Sequence, residues 1–183
     1  YYVKDYIQAK TLSAAKRQYN TLKVGTYELS VPFYIESFDY FKNLDKEFAI
    51  DILKSIAEKA KDNPKALKTI AYKLEEFGEF NYAKVIYQRL LSIRPLDEQS
   101  YRDLALIYKE NEDYDLAASL FDIMLNNKLK NVNMLGLQET VVNEAAHLYF
   151  TELDKLTLTD FPLKTLKTYI PKNDWRNFGF DYR

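Results

Sequence analysis

The chain has 183 residues, 29% of them charged and 47% hydrophobic, which suits one domain or one short repeat array with a buried core and excludes a compositionally disordered segment. Its 26 Lys and Arg against 27 Asp and Glu leave a net charge of −1, so no global field draws it to nucleic acid or to an anionic membrane, and no nucleic-acid partner is expected. The absence of cysteine rules out a disulfide framework, a thiolate zinc site and a cysteine nucleophile, and no stretch nears the ~18 apolar residues of a membrane span, so no membrane insertion is expected.

Only four Gly and five Pro occur, which favours long helices over a turn-dense β architecture, and most of the sixteen Tyr and eleven Phe are expected as packing between helices. The sequence starts at Tyr1 with neither an initiator Met nor a signal pattern, as expected of a mature product or an excised fragment. Residues 1–29 read as an N-terminal helix and linker: Tyr6, Ile7, Leu12, Ala15 and Tyr19 make one stripe, which Val24-Gly25-Thr26 interrupts.

From residue 64 the chain repeats itself at an offset of 34 residues. In 64–97, Leu67, Ile70, Ala71 and Leu74 mark one helical face, Gly78 and Phe80 a turn, and Ala83, Tyr87 and Leu90 a second face, with Pro95 closing the unit. In 98–131, Tyr101, Leu104, Ala105 and Tyr108 stand at the same steps, followed by Tyr114, Ala117, Phe121 and Met124. Each unit therefore reads as a helical hairpin, with small residues where two helices approach closely. Counting back gives a degenerate unit over 30–63, where Phe33, Ser37, Tyr40, Ala49 and Leu53 keep the step and Glu36 does not.

After Asn131 the register slips, and 132–156 reads as a capping helix, Leu137 to Leu156, with Val142, Ala145, Ala146 and Tyr149 inward. Residues 157–183 read as an irregular tail, because Pro162 and Pro171 oppose a continuous helix, and the tail is expected to dock through Phe161, Tyr169, Trp175 and Phe178.

The pattern of ring, Leu, small residue and Tyr, then Ala, ring and Pro, over 34 residues resembles the tetratricopeptide repeat. Residues 98–131 match it best, through Tyr101, Leu104, Ala105, Tyr108, Ala117 and Phe121, with Leu129 replacing the closing Pro. The resemblance implies an all-α fold, a right-handed α-solenoid of about three such hairpins with a C-terminal capping helix, binding a protein or peptide in a concave groove lined by the first helix of each hairpin. Carried over at the second, fifth, ninth and twelfth positions, the groove would present Val31, Tyr34, Phe38 and Phe41, then Lys65, Lys68, Tyr72 and Glu75, then Gln99, Arg102, Leu106 and Lys109. Rings at one end and bases in the middle would suit a partner segment with apolar side chains and an acidic group. Tyr72 and Asp103 stand where chaperone-tail-binding members carry Asn, so that subtype is not expected. A looser resemblance, through Ser100-Tyr101-Arg102-Asp103-Leu104-Ala105-Leu106-Ile107-Tyr108, is to the repeat module of large bacterial envelope proteins, which implies the periplasm or cell surface and leaves the cytoplasm open.

No catalytic apparatus is legible. His147 is the sole histidine, and with Glu144 three residues earlier it falls short of a metal site; Gly25, Gly78, Gly136 and Gly179 form no phosphate loop. No metal, cofactor or enzyme activity is expected. Two alternatives stay open beside the interaction module: a structural spacer between flanking domains, and a non-catalytic part of a larger hydrolase.

Overall fold

The computed structural model describes residues 2–126 and 136–157. Among them all regular structure is helical: α1 (Lys4–Ile7), α2 (Leu12–Val24), α3 (Val31–Phe41), α4 (Lys46–Lys59), α5 (Pro64–Glu76), α6 (Phe80–Ile93), α7 (Glu98–Glu110), α8 (Tyr114–Leu125) and α9 (Gln138–Thr151), then a 3-10 turn, Leu153–Lys155. The fold is all-α and helical-repeat-like, with neighbouring helices packed on each other. No helix among the described residues is long and apolar enough to cross a membrane. The tail from residue 158, with Trp175, and the closing Leu129 lie outside the described residues. The chain forms two compact units, Tyr1–Glu79 and Phe80–Arg183, so the boundary falls inside the repeat read over 64–97.

In the first unit the helices start where a side chain can satisfy orphan N–H groups. Thr11, Ser30, Asp45 and Asn63 accept from the backbone N–H three residues on, at 3.2, 3.4, 3.0 and 3.2 Å. Pro64 follows Asn63 at the first helical position, which tolerates its missing N–H. The Thr11 cap corrects the reading of one N-terminal helix. It restarts the chain after α1, and Ile7, expected in the apolar stripe, is 68% exposed while Tyr6 is fully buried.

The core of this unit is made of rings. Tyr6, Tyr19, Phe33, Tyr34, Phe38 and Phe41 are all buried; Tyr19 stacks on Phe33 at 5.5 Å between centroids and Phe41 meets Phe48 edge-on at 4.9 Å. Such offset and edge geometries suit the ring quadrupoles, adding about 0.5–1.5 kcal/mol per pair to the burial itself. Ser37 is the polar exception: its hydroxyl donates to the Phe33 carbonyl at 2.6 Å, so at 3.1 Å it accepts from the Tyr6 hydroxyl.

The repeat register holds in detail, with one deletion. The buried face of α3, Phe33, Tyr34, Ser37, Phe38 and Phe41, precedes that of α5, Ala66, Leu67, Ile70, Ala71 and Leu74, by 33 residues and not 34. The shortfall lies in the α3–α4 connection. Where α5 ends, Gly78 takes a left-handed φ of +74° and the Glu79 N–H reaches back to the Leu74 carbonyl at 2.9 Å. Where α7 ends, Glu112 at φ +61° and the Asp113 N–H to the Tyr108 carbonyl, also 2.9 Å, repeat the motif. Between α3 and α4 the left-handed residue is missing, which shifts α3 by one position.

The second helices keep the 34-residue step throughout. Ala49, Ala83 and Ala117 are fully buried and Ala15 nearly so, each four residues before Leu53, Tyr87, Phe121 or Tyr19, which are buried as well. Helix α2 thus occupies the register of a second helix of a hairpin, which the sequence reading assigned to a linker-bound N-terminal segment.

In the second unit α6 packs on α7, α7 on α8 and α8 on α9. Tyr101 is buried and its hydroxyl donates to the Pro95 carbonyl at 3.0 Å, the counterpart of the Tyr34 hydroxyl donating to the Glu28 carbonyl at 3.1 Å in the first unit. Ala71 and Ala105 are fully buried, as the close-contact positions require, and Phe121 is buried too. Tyr108, expected as a buried ring, is half-buried and its hydroxyl accepts from Gln88 at 3.0 Å. Val142, Ala145, Ala146 and Tyr149 are buried as expected, but the helix expected to run to Leu156 stops at Thr151. The 3-10 turn then buries Leu156, and the Thr157 N–H donates to Asp115 at 2.9 Å.

Candidate functional site

Tyr34, Phe38 and Phe41, expected as the aromatic end of a groove, are fully buried and present no surface to a ligand. The missing residue before α4 explains this. One position on a helix is a rotation of about 100°, and with α3 beginning at Val31 the second, fifth, ninth and twelfth positions become Pro32, Ile35, Asp39 and Lys42, none of which is buried. Asp39 there binds both Lys73 at 3.0 Å and Lys42 at 3.1 Å, so the charges of this face are paired with one another beside the apolar Pro32 and Ile35.

On α5 the register is unshifted. Lys65 is exposed, Tyr72 is 47% exposed, and the Lys68 ammonium sits 5.6 Å from the Tyr72 ring centre. An ammonium over a ring face is held there by the ring quadrupole. These three residues form a strip on the first unit.

The second unit carries the better-defined geometry. Here α9 follows the register of α7 with seven further residues inserted: Tyr101, Leu104, Ala105 and Tyr108 correspond to Val142, Ala145, Ala146 and Tyr149. The fifth and ninth positions of α9 are then Asn143 and His147, both exposed. With Leu106, Lys109 and Glu144 they line an open cavity of about 280 Å³ between α7 and α9. That is just below the ~300–1,000 Å³ of small-molecule pockets, a size that suits side chains of an extended segment.

Its polar groups are arranged as follows. Arg102 is clamped by Glu144, its Nε 3.1 and 2.9 Å from the two carboxylate oxygens and its Nη2 also on Oε1. Both side chains are under a quarter exposed, so the fork geometry is retained while solvent screens part of the attraction. This corrects the expectation for Arg102, whose charge is already met by a neighbouring helix. Gln99 is likewise engaged, donating to the buried Asp103 at 2.6 Å. Leu106 and Lys109 do face the cavity as expected. The Lys109 ammonium, which can only donate, lies 3.2 Å from His147 Nδ1, so the neutral imidazole accepts there and carries its hydrogen on Nε2.

Sequence reasoning does not single out Asn143 and His147 as cavity-lining residues, because the seven-residue slip hides the alignment of α9 with α7. The signal was present in the stripe Val142, Ala145, Ala146 and Tyr149. No grouping of three or more His, Asp or Glu among the described residues has the geometry to hold a metal ion. No protein-family model matches this chain, and no curated protein matches it as a relative.

Proposed function

We propose that the chain is a protein-interaction module of the tetratricopeptide-repeat type, which binds an extended segment of a partner in the groove between α7 and α9 and does no chemistry on it. The observation that carries this reading is the cavity itself: the ninth and twelfth positions of α7, Leu106 and Lys109, share it with the fifth and ninth positions of α9, Asn143 and His147. An apolar side chain for burial, an amide that both donates and accepts, and a cation are what an extended backbone with alternating side chains needs. The test is a peptide-array screen of the chain against Asn143→Ala and Lys109→Glu, both on the surface and expected to leave the helical circular-dichroism signal unchanged. Peptides that bind the chain should lose at least about tenfold in affinity on the double variant, about 1.4 kcal/mol; equal binding by both removes the groove from the reading.

A structural spacer is the second reading, and one recurring contact favours it. Lys16 of α2 binds Asp45, the cap of α4, and 68 residues later in the same register Lys84 of α6 binds Asp113, the cap of α8, at 2.7 Å. Successive second helices are tied by the same ion pair in each unit, as a stiff support would be. A spacer predicts no saturable peptide binding at all.

A further inference from the structure

Lys109 and His147 both line the cavity and stand 3.2 Å apart, a cation beside an acceptor while the imidazole is neutral. From this contact we infer that the α7–α9 cavity is a carboxylate site armed by protonation of His147, an inference that rests on the groove reading for its natural ligand, an acidic side chain of a bound segment. Once Nδ1 carries a proton it can no longer accept from the ammonium, and the pair becomes two donors of like charge. A carboxylate placed between them accepts from both and removes the repulsion. The other charged side chain lining the cavity, Glu144, is already paired. Glu144, one turn before His147 on α9, has both its oxygens on Arg102 of α7, so this carboxylate and guanidinium are met by each other. No charged residue of α8 or of the 3-10 turn lines the cavity among the described residues.

The sign of the effect follows from linkage. Carboxylate binding takes up a proton at His147, so affinity rises as pH falls, by at most about tenfold per pH unit for one proton. Peptide glutamates stay ionised between about pH 7.5 and about pH 5.5, so a change in affinity over that range does not come from the ligand.

Two probes test this. The first is a dye-labelled, end-blocked peptide of alternating Leu and Glu, with a Leu and Gln peptide as its control, titrated by fluorescence anisotropy at both pH values. The second is glutarate, followed by the proton NMR signal of the imidazole, which belongs to His147 because the chain has one histidine. The Leu and Glu peptide should bind at least about threefold more tightly at the lower pH, within the linkage limit, while the Gln peptide should not. His147→Asn should abolish the difference, and Lys109→Gln should weaken binding at both pH values. Glutarate should shift the imidazole signal saturably at the lower pH and not at the higher. A peptide bound with pH-independent affinity, or equal tightening in His147→Asn, overturns the carboxylate site and leaves the groove reading in place. Glutarate binding without peptide binding overturns the groove reading and leaves the carboxylate site. Neither probe binding at either pH overturns both.

Discussion

At the residue scale, the least comfortable group in the first unit is the Tyr19 hydroxyl. The ring is 1% exposed, stacked on Phe33 and edge-on to Phe48, yet Oη has no hydrogen-bond partner among the described residues. Burial, with the Tyr34 and Tyr6 hydroxyls adding to it, pushes the phenol far above the ordinary tyrosine range. A buried hydroxyl without a partner loses its water and gains nothing in exchange, so Tyr19→Phe should keep the ring packing and raise stability by about 1 kcal/mol. Urea denaturation of the two proteins measures it; a midpoint that falls in Tyr19→Phe would mean the hydroxyl is satisfied, for instance by a buried water. Tyr6 differs, because its hydroxyl donates to Ser37, and the same change there removes a bond that the buried Ser37 oxygen accepts.

At the element scale, the turn that links first and second helices is the device that sets everything after it. Gly78 and Glu112 occupy the same left-handed position, but only Gly adopts it without strain. For Glu112 the conformation costs roughly 1–2 kcal/mol, retained because the Asp113 N–H must reach the Tyr108 carbonyl to close α7. Glu112→Gly should therefore stabilise the chain by about 0.5–1 kcal/mol, the strain relieved less the extra entropy of an unfolded glycine. Gly78→Ala should cost about 1 kcal/mol. There a Cβ would meet nothing within 4 Å, so any loss reports backbone strain alone. Thermal unfolding of both variants checks the pair, and a stability gain in Gly78→Ala would remove the turn from the account.

At the scale of the whole molecule, a net charge of −1 leaves little self-repulsion near neutrality, so the pH dependence of stability is carried by particular groups. The hydrogen bond from Lys16, then the Phe48 N–H, hold the Asp45 carboxyl below its ordinary 3.8, and Lys155 does the same for Glu152. For a carboxyl lowered in the folded state, the stabilisation is present above the ordinary value and is lost as pH falls from there through the folded value. Burial pushes Tyr6 up to about 12, so its contribution is complete below the ordinary tyrosine range and drains away as pH rises toward 12. Stability should then form a plateau around neutral pH with a fall at each end. Lys16→Met should make the acid fall shallower below about pH 4, read from denaturation midpoints across pH; an unchanged acid limb would show that the Lys16–Asp45 pair contributes nothing to it.

The period of apolar residues alone determined that this chain is helical, where most second-helix positions lie and which alanines sit at close contacts, because a 34-residue step with small residues at Ala71, Ala83, Ala105 and Ala117 leaves few other ways to bury them. It also located α7, where Tyr101, Leu104 and Ala105 are buried as the stripe requires and Tyr108 is half-buried. The α3 face was not legible: deletion of one turn residue rotates a helix by about 100° without disturbing its composition, so Tyr34, Phe38 and Phe41 looked like a groove and are a core. Nor could the sequence show that Arg102 is met by Glu144, or that Asn143 and His147 stand across a cavity from Leu106 and Lys109. These pairs are about 40 residues apart on different helices, and only the packing of α9 after the inserted residues brings them together, since side-chain pairing depends on distance in space while the repeat pattern records distance along the chain.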